Sequence, residues 1–164
     1  MASARNRMMT RLATHPMEGE AMTATGGEVL VRDVMTCAPV VVSRGATIDE
    51  ARRLLADRAV RHLPVAEHGR LYGMISDRDV RPGPALPANA LGWLADALGA
   101  RRTRVRDVMA VPVHWVAPDQ PLVAAVRLLL THTISAVPVV EHRHLVGIVT
   151  STDCLALLDR VVSS

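Results

Sequence analysis

The pattern of apolar and polar positions marks a series of short elements, and it marks them twice. PVVVS at 39–43 is a β-branched run suited to a strand. Thr47-Ile48-Asp49-Glu50 then carries a helix-start pattern, with Thr47 as N-cap and Glu50 reaching back to it. Ile48, Ala51, Leu54, Leu55 and Arg58 follow at helical spacing and give one apolar face and one Arg/Asp face. HLPVA at 62–66 and LYGMIS at 71–76 read as two strands joined by the turn EHGR.

A shift of 74 residues lays Val31–Val80 over Val105–Cys154 without a gap. VRDVM meets VRDVM, Pro64-Val65 meets Pro138-Val139, Gly73 meets Gly147 and Asp79 meets Asp153, among 17 identities in 50 positions. That is an internal duplication. The second copy supplies VHWVA at 113–117, a helix opening at Pro121, and a hairpin from VPVV (137–140), EHRH and LVGIVT (145–150). Each unit reads β-α-β-β followed by a short helix whose start is Asp79 or Asp153. One copy of some 50 residues buries too little surface to stand alone, so the two are expected to pack about a pseudo-twofold as one sheet-and-helix domain.

These units bound the organisation. Residues 29–81 form the first motif and 105–162 the second. Residues 1–28, rich in Met, Thr and Gly without period, read as a flexible tail. The connector 82–104 holds Pro82 and Pro84, which stop any helix after Asp79, and a separate short helix at 90–100.

Composition adds exclusions. With 49% apolar residues the chain is not a disordered one. Its apolar runs fall short of the roughly 18 residues of a membrane span, and no signal-peptide pattern appears, so a cytoplasmic location is the expectation. Cys37 and Cys154 are too few and too far apart for a disulfide framework or zinc knuckle. All 19 basic residues are Arg, which suggests a GC-rich coding sequence and weakens any inference of nucleic-acid binding from the pI of 9.6.

The chemistry that remains lies at the strand exits. GMISDRD (73–79) and GIVTSTD (147–153) each end in a hydroxyl residue with an aspartate three places on. Ser/Thr-x-x-Asp is an ordinary helix cap. It also suits a ribonucleotide, since a carboxylate accepts from a cis-diol and a helix start favours phosphate. Two copies in equivalent frames favour the ligand. Glu141-His142-Arg143-His144 has metal-like spacing but falls in a hairpin turn and reads as solvated. Arg101-Arg102-Thr103-Arg104 reads as a solvated face. Cys154, at a helix start where a thiol pKa could fall, reads as a small apolar residue. No nucleophile–base pair, phosphate loop or acid pair appears, so no catalysis is expected.

Over about residues 29–160 the chain resembles a tandem pair of CBS (cystathionine β-synthase) domains, a Bateman module. The marks are VRDVMT and VRDVMA, HLPV and AVPV, GMISDRD and GIVTSTD. The resemblance implies an α+β fold of two β-α-β-β-α motifs and a regulatory module that senses adenosine nucleotides (AMP, ADP, ATP or related) in two clefts, with no other cofactor. It further implies a homodimer, for which CLALLDRVV (154–162) offers an apolar stripe, and an unnamed protein effector. By the same likeness Asp79 and Asp153 hold ribose hydroxyls, with Ser76 and Thr150 beside them. Thr36 and Val40 serve the Asp153 cleft, Ala110 the Asp79 cleft, and His62 reaches phosphates across the twofold. Because Ala110 and Ala136 stand where the other cleft has Thr36 and His62, the Asp153 cleft is expected to bind more tightly. The rival is a scaffold with empty clefts that touches nucleic acid through its arginines.

Overall fold

The computed structural model describes residues 28–81 and 103–163. The tail over 1–27, Pro82, Pro84, the helix expected at 90–100, Arg101 and Arg102 lie outside the described residues. A single 3-10 turn, Val31–Asp33, leads into β1 (Thr36–Cys37), α1 (Ile48–Asp57), β2 (His62–Glu67) and β3 (Arg70–Ser76). Then come α2 (Val105–Val108), α3 (Leu122–Thr131), β4 (Ala136–Glu141), β5 (His144–Thr150) and α4 (Ser151–Val162).

The local signals produce the elements they encode. At α1 the Thr47 hydroxyl accepts from the Glu50 N–H at 3.2 Å, and the Glu50 carboxylate accepts from the Thr47 N–H at 2.6 Å. Ile48, Ala51 and Leu55 are the buried face. α3 begins one residue later than expected, with Pro121 as its N-cap. Both hairpins turn through two left-handed residues, as two-residue hairpin loops require. These are His68 and Gly69 in the first copy, and His142 and Arg143 in the second. Each hairpin also slips register at the same place, after Val65 and after Val139.

Two expected strands shrink to single bridges. Val42 pairs in parallel with Val65, and Val116 with Val139. The Val42 N–H donates to the Pro64 carbonyl and the Ala66 N–H to the Val42 carbonyl, both at 3.1 Å. The next rung toward residue 40 would need an N–H from Pro64, which has none. Pro138 stops the second copy in the same way. The expected helix starts also move. Residues 77–80 form turns rather than helix, while α4 begins at Ser151 with Thr150 as its N-cap, so Asp153 stands at the third helical position.

The two motifs do not share one core. One buried cluster joins Ile48, Leu55, Leu63, Val65 and Ile75 with Val105; the other joins Val116, Leu129, Val137, Val139 and Val149 with Val31. Each core is therefore completed by the segment that leads into the other motif. The Val105 N–H donates to Ala46 and that of Arg106 to Arg44; 74 residues earlier Val31 donates to Gln120 and Arg32 to Pro118. The bridges Thr47–Arg104 and Leu30–Pro121 repeat the relation.

The two strand glycines follow from this exchange. A Cβ on Gly73 would lie 2.6 Å from the Met109 Sδ, and one on Gly147 2.6 Å from the Met35 Sδ. The methionine of each leading segment seats against the bare backbone of the other motif's hairpin. Beyond it, β1 pairs with β5, Thr36 opposite Ile148, to give the sheet order β1-β5-β4. Ala110 makes the equivalent single bridge to Met74.

Candidate functional site

The site grows from the end of the first hairpin. His62 opens β2 opposite Ser76, the last residue of β3. The Ser76 N–H and hydroxyl donate to Asp79 Oδ2 at 2.7 and 2.6 Å. Thr150 treats Asp153 likewise, at 2.8 and 2.7 Å, and its hydroxyl accepts from the Asp153 N–H at 3.3 Å. Both aspartates thus cap their own turns through one oxygen. In each the other oxygen, Oδ1, has no hydrogen-bond partner among the described residues.

Asp79 borders a cavity of about 270 Å³. Its first-motif wall is Arg61, His62 and Met74 to Asp79; its second-motif wall is Ala110, Pro112 to His114, and Thr133 to Ala136. Ser76, Asp79, His62 and Ala110 therefore meet in one cavity. The mutual hydrogen bonds of Ala110 and Met74, at 2.8 and 3.3 Å, hold the second-motif wall in place. Thr150 and Asp153 are joined at the other hairpin's end, and Thr36 pairs opposite Ile148, two residues before Thr150. Val40 is half-buried and packs against the first motif's core.

His62 changes the expected contrast between the clefts. It lines the Asp79 cavity itself, and so does its repeat counterpart Ala136. His62 is thus placed on the wall of the Asp79 cavity and is not a residue of the Asp153 cleft alone. Burial holds its pKa below the usual imidazole value, against the pull of Asp77. Asp77 is engaged by Arg61 at 3.7 Å and Arg81 at 3.3 Å, whereas the exposed Arg78 has no acidic partner among the described residues.

Sequence reasoning missed His114, Arg61, Asp77 and Thr133 on the cavity wall. His114 was accessible, because it is Val40 carried forward by 74 residues. Elsewhere the local readings divide. His144 caps its own turn, with Nδ1 3.0 Å from the His142 carbonyl, and packs beside Gly69. The Cys154 thiol is pushed up, first by burial and then by Asp153, the reverse of activation at a helix start. No helix among the described residues is long and apolar enough to cross a membrane.

A duplicated α+β unit whose leading segments are exchanged, whose hairpins each end in a capped aspartate, and which carries a cavity between the copies beside Asp79, defines a tandem motif pair. The CBS domain profile matches residues 31–82 and 105–160, and the chain belongs to that family. It is 37% identical over 123 residues to the CBS domain-containing protein YhcV of Bacillus subtilis, covering 75% of this chain and 81% of YhcV. It is 35% identical over 130 residues to a homoserine O-acetyltransferase of Methanococcoides burtonii. That match covers 78% of this chain and only 24% of the acetyltransferase, about a quarter of its length. Among solved structures it resembles the CBS domain pair of protein MJ0100 in complex with 5′-methylthioadenosine and S-adenosyl-L-methionine. The TM-score there is 0.66 at 29% identity, over 82% of this chain and 99% of that one.

Proposed function

We propose that this CBS pair is a regulatory module, without catalysis of its own, that senses an adenosine-containing ligand in the Asp79 cavity. The carrying observation is the Oδ1 of Asp79, without a hydrogen-bond partner among the described residues, beside a cavity built from both motifs. The cap fixes the carboxylate through Oδ2 and leaves Oδ1 to accept from ribose hydroxyls. The cavity is close to the lower end, about 300 Å³, of small-molecule pockets. The complex of the MJ0100 pair with two adenosine compounds supports the ligand class. Arg61 and Arg78 on the wall favour a ligand that also carries phosphate, as AMP, ADP and ATP do.

A ligand there touches Ser76 and Asp79 of one motif and Ala110 and Pro112 to His114 of the other. Binding then selects one relative pose of the motifs, which an effector protein reads. α4 exposes Leu155, Leu158, Val161 and Val162, and a homodimer through this stripe accounts for them. The cytoplasm is the location consistent with such a ligand. Thermal-shift measurements with AMP, ADP, ATP, S-adenosylmethionine and 5′-methylthioadenosine test the reading. A ligand at a hundredfold its Kd stabilises by about 2.7 kcal/mol, so a clear upward shift is expected from at least one. No shift from any of them, together with salt-sensitive binding to DNA or RNA, would favour the scaffold reading instead.

A further inference from the structure

His114 and His132 lie on the second motif's side of the Asp79 cavity and belong to neither capped aspartate. Their rings stack face to face, with centroids 3.7 Å apart and planes 17° from parallel. His114 lines the cavity, and His132 is the C-cap of α3, its N–H bonded to the carbonyls of Leu128 and Leu130. The duplication serves as an internal control. In the first motif the same two positions are Val40 and Arg58, so the fold itself needs neither imidazole.

Stacked rings cannot hold one metal ion between them, because the ion would have to lie in two near-parallel planes at once. A stacked pair can instead carry one proton. A neutral ring tolerates an imidazolium against its face, whereas two imidazoliums repel, so a second proton on the stack is disfavoured.

We propose that the His114–His132 stack makes the Asp79 cavity a proton-linked anion site. An anionic group of the ligand beside His114 draws a proton onto the pair, and Val40 offers no such linkage in the other motif. The inference rests on reading this cavity as a ligand site. The charged groups facing His114 across the cavity are Arg61, His62, Asp77, Arg78 and Asp79; on its own side the facing group is His132. Burial first, and then the charge of His132, hold His114 below the usual imidazole value, so the unliganded site favours the neutral form of His114. Anion binding therefore strengthens as pH falls.

The test uses adenosine 5′-sulfate, whose one negative charge does not titrate near neutrality, with uncharged adenosine as control. Calorimetry in buffers of different ionisation enthalpy reads proton uptake directly. With the sulfate, uptake approaching one proton is expected, with affinity rising by up to about tenfold per pH unit lowered. Adenosine is expected to bind with little uptake. His114→Val, which installs the first motif's residue, should remove most of the uptake, and His132→Arg should reduce it. His62→Ala should leave the part that depends on His114. Binding of the sulfate with uptake unchanged in His114→Val would overturn the proton link alone. Failure of both compounds to bind would overturn it together with the ligand reading. Proton NMR titration of the free protein adds a readout independent of ligand: coupled steps for the two imidazoles support the link, and independent single steps would overturn it.

Discussion

Val105 is numbered with the second motif, yet its side chain is fully buried in the first motif's core beside Ile48, Leu55 and Ile75. Val105→Ala removes two methyl groups from that core. At about 0.8 kcal/mol per group the transfer loss is about 1.6 kcal/mol. The cavity left behind raises the expected cost to about 2–3 kcal/mol. The informative question is where the cost falls. Urea unfolding gives its size, and residue-resolved hydrogen exchange gives its place. The β2–β3 amides are expected to lose more protection than those of β4–β5, although Val105 lies after the connector. Val31→Ala, whose side chain completes the other core, should produce the reverse. If Val105→Ala loosened β4–β5 first, or both hairpins equally, the picture of two cores joined by exchanged segments would be wrong.

Three further outcomes follow from the geometry. Gly73→Ala drives a Cβ onto the Met109 Sδ and should destabilise by about 1–3 kcal/mol in urea unfolding; shortening the partner with Met109→Ala should recover part of the loss. Thr150→Ala removes the hydroxyl cap of α4, and its melting temperature should fall by the equivalent of about 1 kcal/mol. His62 and His114 are both held below the usual imidazole value, so their neutral forms suit the fold. Their contribution is complete above about pH 6.5 and is lost as pH falls through the lower folded values. Urea midpoints taken between about pH 7.5 and 5.5 should therefore decline, and the decline should flatten in His62→Ala/His114→Val.

What could be read from sequence was local or repeated. The capping pair Thr47 and Glu50, both hairpins and the placing of Ala110 beside the Asp79 turn follow from spacing, duplication and family likeness. What could not be read depends on partners far along the chain. The strand at 39–43 fails because Pro64, in another element, lacks the donor for its next rung. Val31 and Val105 sit in identical VRDVM segments, and nothing local says that each fills the core of the other motif. Gly73 and Gly147 look like ordinary strand openings until the methionines they admit are in place. Family likeness assigns His62 to the cleft across the twofold, whereas in the structure it lines the Asp79 cavity.

Asp79 is proposed to hold a ligand through Oδ1, the oxygen that its cap does not use. Asp79→Asn tests it with the least disturbance: the amide oxygen can still accept from the Ser76 N–H, while an NH₂ donor replaces the free acceptor. Calorimetry with AMP and S-adenosylmethionine on both proteins, with thermal unfolding as a check on folding, is the direct measurement. A hydrogen bond to a charged group contributes about 1.5–3 kcal/mol, so a loss of affinity of roughly tenfold or more is expected while the melting temperature changes little. Equal affinity in wild type and Asp79→Asn, or no binding by a folded wild type, would contradict the account.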